Sequence, residues 1–165
     1  MAEPSRRPDL LGLQRGGEGA ITGTVVCAAT IAYSAGQVDT VGRLCATILG
    51  AVAVYWVAHL HAVTIGSALT HRHHPLVAVR HGLAETLPIA GASVVPLGVL
   101  LVTTFLGADL GDAAWAALIT AIALLATYSY LAGARGGMDM SERLWCAAAG
   151  VGVGLLVVAL KVALH

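Results

Sequence analysis

Charged side chains are scarce in this chain: nine Lys and Arg and nine Asp and Glu among 165 residues, or 11%, where a soluble domain carries about a quarter. The signs cancel to a net charge of zero and no run of one sign occurs, which excludes a nucleic-acid surface and an acidic interaction tail. Aromatic residues make up 5%, with a single Phe, too few for a large aromatic core. Cysteine is limited to Cys27, Cys45 and Cys146, in different apolar segments and without C-x-x-C spacing. That excludes a disulfide framework and a thiolate zinc cage, and the three are expected to act as small apolar residues at helix contacts. The chain has no G-x-S-x-G, H-E-x-x-H or phosphate-binding glycine loop, and no paired carboxylates inside an apolar run. Hydrolase and nucleotidase chemistry therefore lack their usual groups, and no catalytic residue, cofactor or metal is expected.

What fills the chain instead is hydrocarbon: 58% of residues are hydrophobic and the mean hydropathy is +0.83. Five apolar runs, at about 20–38, 43–70, 87–106, 113–132 and 144–164, alternate with short polar turns. Each approaches or exceeds the roughly 20 residues that a bilayer core requires, and the second, at 43–70, is long enough to tilt or project into water. The expected fold is all-α, a transmembrane bundle of five helices over 19–165 behind a flexible polar tail at 1–18. Ser5, Arg6 and Arg7 in that tail resemble a twin-arginine signal, but Pro8 and Asp9 follow where apolar residues belong, so an uncleaved first span is expected.

Orientation is read from the cations. With the N-terminus inside, Arg6, Arg7, Arg15, Arg72, Arg80, Arg135 and Arg143 face the cytoplasm and only Arg43 and Lys161 face outward, as the positive-inside bias requires. The C-terminus is then outside. Trp115, Tyr128, Tyr130 and Trp145 fall near span ends, where amphipathic rings prefer to lie. Ser141 is placed to cap the last helix.

The second run breaks the rule that polar groups stay at segment ends. Tyr55, His59 and His61 lie deep inside it, and ionisable groups at that depth are functional candidates by default. On a helix Tyr55 and His59 share a face while His61 points to the opposite side, so the two imidazoles cannot chelate one ion. Pro96, internal to the third run, frees the carbonyl of Ala92 and predicts a kink. His59 beside that kink and Ser93 forms an expected polar pocket. Haem held by two imidazoles needs histidines on facing helices, which here would take a second copy of the chain.

Between the second and third runs lies a basic stretch with His71, His74, His81 and Glu85 around Pro75. Leu76, Val77, Val79 and Leu83 suit a short helix lying on the membrane surface. His71 and His74, three apart, with His81 or Glu85 have the makings of a zinc set. Pro75 opposes helix at His74, so solvated histidines beside lipid headgroups are the expectation.

The run Tyr55-Trp56-Val57-Ala58-His59-Leu60-His61, the Ala, Val, Gly and Leu-rich spans with Arg dominant over Lys, and the closing Val158-Ala159-Leu160-Lys161-Val162-Ala163-Leu164-His165 resemble the small, uncharacterised multi-pass integral membrane proteins of high-GC actinobacteria. That resemblance covers most of the chain in architecture. It implies a bacterial inner (plasma) membrane location and carries no functional residue with it.

Two functions from different classes are expected. The first is a non-enzymatic accessory or scaffold subunit whose partner is a second copy or another membrane protein, suggested by small-residue faces such as Ala148, Gly150, Gly152 and Gly154 that let helix backbones approach closely. The second is a small permease or proton-linked channel using His59 and His61.

Overall fold

The structure, a computed structural model, describes the backbone of residues 18–71, 83 and 86–164 and the side chains of 19–66, 83 and 86–163. It is all-helical: among the described residues there is no strand. Among the described residues the main helices, in chain order, are α1 (Glu18–Ser34), α2 (Val41–His71), α3 (Val94–Phe105), α4 (Leu110–Arg135) and α5 (Met140–Leu164). Four helical stretches, Val41–Gly66, Thr86–Phe105, Leu110–Arg135 and Met140–Ala163, are long and apolar enough to cross a membrane, and Gly19–Ser34 is an apolar helix of shorter length. The expected tail lies outside the described residues apart from the backbone of Glu18, as does most of the stretch around His74, His81 and Glu85.

Each helix end has a local cause. Asp109 accepts a hydrogen bond from the Asp112 N–H at 2.8 Å, a side-chain cap that starts α4 at Leu110, three residues before the expected boundary at 113. The last helix also begins early. Its first turn is closed by Glu142, whose carboxylate accepts from the Asp139 N–H at 2.9 Å, so Ser141 lies one residue inside α5, exposed, and is not the cap. Gly107 ends α3 at φ 94° with Ala108 N–H bonded to Thr103 O and Gly107 N–H to Thr104 O. That paired closure demands a left-handed residue, which glycine supplies without a Cβ clash.

The third segment is broken as the proline predicts, one turn upstream of it. Helix runs over 86–91, turns at Ala92 and Ser93, and resumes as α3. Pro96 occupies the first turn of α3, with the Leu97 N–H bonded to Ser93 O at 3.1 Å. A proline has no N–H for the Ala92 carbonyl, so the ladder lapses there.

Packing centres on α1 and α4. Helix α4 lies against α5, α1 and α3, while α1 also contacts α2 and α5. At one end Cys27 and Ile31 of α1, Leu44 and Ile48 of α2, Leu100 of α3 and Ala117 of α4 form the largest buried cluster. Towards the other end Ala20, Ala92 and Tyr128 close a smaller one. Two approaches depend on missing side chains. A Cβ on Gly23 would strike the backbone of Ile89, and one on Gly150 would lie 2.7 Å from the Leu125 carbonyl oxygen. Buried hydroxyls are satisfied locally: Thr24 donates to Ala20 O at 2.8 Å and Ser93 to Ala90 O at 2.8 Å. Among the described residues no buried side-chain polar atom lacks a partner.

Candidate functional site

Helix α2 carries the candidates that lie inside an apolar run, and its relation to the bundle changes along its length. Leu44, Ile48 and Val52, spaced by four, are buried against the rest of the protein. Tyr55, Trp56, His59 and Leu60 continue that inner face but are only half-buried. Among its described side chains the outer face is open, with Val54 at 71% and Val57 at 56% exposure.

Tyr55 and His59 are one turn apart, and their rings stack with centroids 6.0 Å apart and planes inclined by 16°. An offset arrangement at that separation is an attractive aromatic geometry. It fixes the imidazole against its own helix. His61 lies on the exposed side, in a shallow groove of about 540 Å³ lined by Ala53, Val54, Val57, Ala58 and His61. The helix thus separates the two histidines as its 3.6-residue period dictates.

Ser93 and Pro96 do not join His59 in the expected manner. The Ser93 hydroxyl is taken up by Ala90 O within its own segment, and Pro96 is buried in the first turn of α3. The polar link from α2 to the third segment comes instead from Trp56, whose Nε1–H donates to the Thr86 hydroxyl at 3.0 Å. Thr86 is fully buried. This bond ties α2 to the 86–91 helix one residue along from Tyr55. Sequence reading passed over both residues; the available signal was that a Trp N–H inside an apolar run must find an acceptor, and Thr86 is a hydroxyl at the start of the next span.

A second aromatic contact lies at the far ends of α4 and α5. Lys161 Nζ sits 4.7 Å from the Trp115 ring centroid, within the range of a cation–π attraction. It holds the two helix ends at one level.

Of the loop set, His71 ends α2 with only its backbone described, and the side chains of His71, His74, His81 and Glu85 lie outside the described residues. Among the described residues no group of three or more His, Cys, Asp or Glu side chains is placed to hold a metal ion. No family model matches the chain, and neither a curated protein nor a solved structure matches it.

Proposed function

We propose that this chain is a non-enzymatic accessory or scaffold subunit of a bacterial plasma-membrane assembly, crossing the bilayer five times with its N-terminus inside. The observation that carries the reading is the outer ridge of α2. Gly42, Ala46, Gly50, Val54, Ala58 and Ala62, spaced by four, are all exposed, and a Cβ added at Gly42 or Gly50 would meet nothing within 4 Å. Elsewhere in the molecule the same kind of ridge is closed: Gly150 and Gly154 seat Leu125 and Ile122 of the neighbouring helix. In lipid, where burial of apolar surface no longer drives helices together, close backbone approach along small residues is a principal source of affinity. Because a four-residue ridge winds slowly around its helix, a crossing helix meets the central positions from Ala46 to Ala58.

Five spans, rather than four, are supported by α1. Its 17 residues rise about 25 Å, close to the hydrocarbon thickness of roughly 30 Å, and it is packed among the longer helices.

The test is a photo-crosslinking residue placed in turn at Ala46, Gly50, Val54 and Ala58 in intact membranes. Discrete adducts are expected from these sites and none from the equally exposed Leu101 and Val102 of α3. Equal adducts from both faces, or none from α2, would reject the scaffold reading. The second reading, a proton-linked channel or permease, is favoured by the half-buried Tyr55–His59 pair. It is disfavoured by the position of His61 on the other side of the helix, which leaves a single protomer without a path that uses both imidazoles.

A further inference from the structure

The exposed side of α2 carries a second order besides its ridge of small residues. Thr47, Gly50, Val54, Val57 and His61 are all exposed, and they follow one another in alternating steps of three and four. That is the seam spacing of two helices wound around each other. We propose that α2 pairs with α2 of a second copy of this chain in a parallel, two-fold contact, with the two His61 imidazoles hydrogen-bonded to each other across the axis. This pairing rests on α2 being the docking helix and names what docks there.

The groove that holds His61 has the shape of such a contact. Val54, Val57, Ala58 and His61, four of the five residues that line it, stand at i, i+3, i+4 and i+7, the corners of a hole that takes one knob from a facing helix. In a parallel two-fold contact each residue of the seam meets its own copy at the same level, so the knob is Val57 of the second copy. Ala46, Ala53 and Ala58 flank the seam as small, exposed residues, and a Cβ added at Gly50 would meet nothing within 4 Å, which lets the two backbones close on each other.

His61 points to a second copy rather than to an unlike helix. It lies inside the apolar stretch Val41–Gly66, long enough to cross a membrane, yet the other residues lining its groove are Ala and Val, which offer the ring no side-chain hydrogen bond. Ionisable groups inside such stretches pair with one another or turn toward protein. A neutral imidazole has one N–H donor and one bare nitrogen acceptor, so it is its own complement: one ring donates and the other accepts. Copies of one chain in one bilayer share an orientation, and a seam in register brings His61 opposite His61. The Thr47 hydroxyl, by contrast, already donates to Arg43 O of its own helix at 2.9 Å. A single polar residue in an otherwise apolar seam fixes register and copy number at some cost in stability. Arg43, one turn before Thr47, is exposed on the same side, and its long stem lets the two like charges turn apart into water at the end of the span.

The test uses intact membranes holding two differently tagged copies of the full-length protein. A photo-crosslinking residue at Val54 or Val57 should give an adduct that carries both tags, and one at Leu49, 54% exposed on the flank of the same helix, should not. An adduct of one copy with a different protein in its place would overturn the second-copy proposal and leave the scaffold reading standing, whereas no adduct at all would remove both. The imidazole pair has its own readout. In phosphatidylcholine vesicles, energy transfer between purified copies labelled at the C-terminus should fall as lipid dilutes them, and His61→Ala should weaken pairing about three- to twentyfold, the span of hydrogen bonds between membrane helices. His61→Asn, whose amide both donates and accepts, should keep most of the affinity. Because His61 is exposed, both variants should unfold with the thermal stability of a wild-type monomer. Equal pairing by wild type and His61→Ala, or equal losses in the Ala and Asn variants, would reject the imidazole bond.

Discussion

Tyr55, Trp56 and His59 lie within one stretch of five residues and do different work. Trp56 makes the cross-helix bond, while His59 stacks on a ring of its own helix. Hydrogen bonds between membrane helices contribute about 0.6 kcal/mol on average and up to about 1.7. Trp56→Phe is therefore expected to lower the stability of the protein in detergent by about 1 kcal/mol, and Thr86→Val to add little once Trp56 is gone; a double-mutant cycle followed by thermal unfolding checks the coupling, and independent, additive losses would count against the bond. His59→Ala should lose the stacking contact, worth about 0.5–1.5 kcal/mol, whereas His59→Gln keeps a hydrogen-bonding side chain without an imidazole. Proton flux in reconstituted vesicles then separates the functional readings. Wild-type flux that disappears in a stably folded His59→Gln protein would defeat the scaffold and promote the channel. The polar candidates were legible because an imidazole in an apolar run stands out, but the partner of each was not. Partners depend on which neighbour the helix face meets, and Ser93, at one step a candidate for His59, is satisfied by Ala90 instead.

Among the helices, glycines divide into those that other elements have closed over and those left open. Gly150→Ala puts a methyl 2.7 Å from a backbone oxygen of α4, and overpacking of this kind costs about 1–3 kcal/mol. Gly50→Ala meets nothing and should leave the isolated protein unchanged or slightly more stable, since alanine favours helix over glycine by about 1 kcal/mol. Thermal unfolding of the two variants in detergent tests the contrast, and equal losses would contradict the packing. Gly50→Leu carries the prediction to the assembly: it should abolish the α2 crosslinks without unfolding the protein. Helix boundaries, too, were decided locally by features that the apolar runs hide. Asp109 and Glu142 are polar residues that apolarity alone assigns to turns, yet their carboxylates hold the first turns of α4 and α5.

For the molecule as a whole, the distribution of arginines predicts the fate of each turn. Reporter fusions after Gly36 and Asp109 should read outside, and those after His74 and Gly137 inside. A cytoplasmic signal at Asp109 would overturn the five-span arrangement. Lys161 and Trp115, joined by their cation–π contact, belong to the same outer level in that arrangement, where a long cationic side chain extends its charge toward water. The exposed Val, Leu and Ile side chains of α2, α3, α4 and α5 form far more apolar surface than a monomer keeps in water, which suits a lipid environment.

Composition and the spacing of apolar runs were enough to determine that the protein is helical and that most of its helices reach membrane-spanning length, because hydrogen bonding in an apolar medium leaves the backbone few alternatives. The kink near Pro96 was equally local, a matter of one missing N–H. The 3.6-residue period alone placed His59 and His61 on different sides of α2. Only the tertiary structure decided which faces are covered. Apolar side chains in a membrane look the same whether they meet lipid or protein, so nothing in the run itself distinguishes α1, packed among its neighbours, from α2, open on one side over its described side chains. The contact between Cys146 and Met138 was hidden for another reason: it depends on the turn at Gly137, which brings together two residues eight apart in sequence.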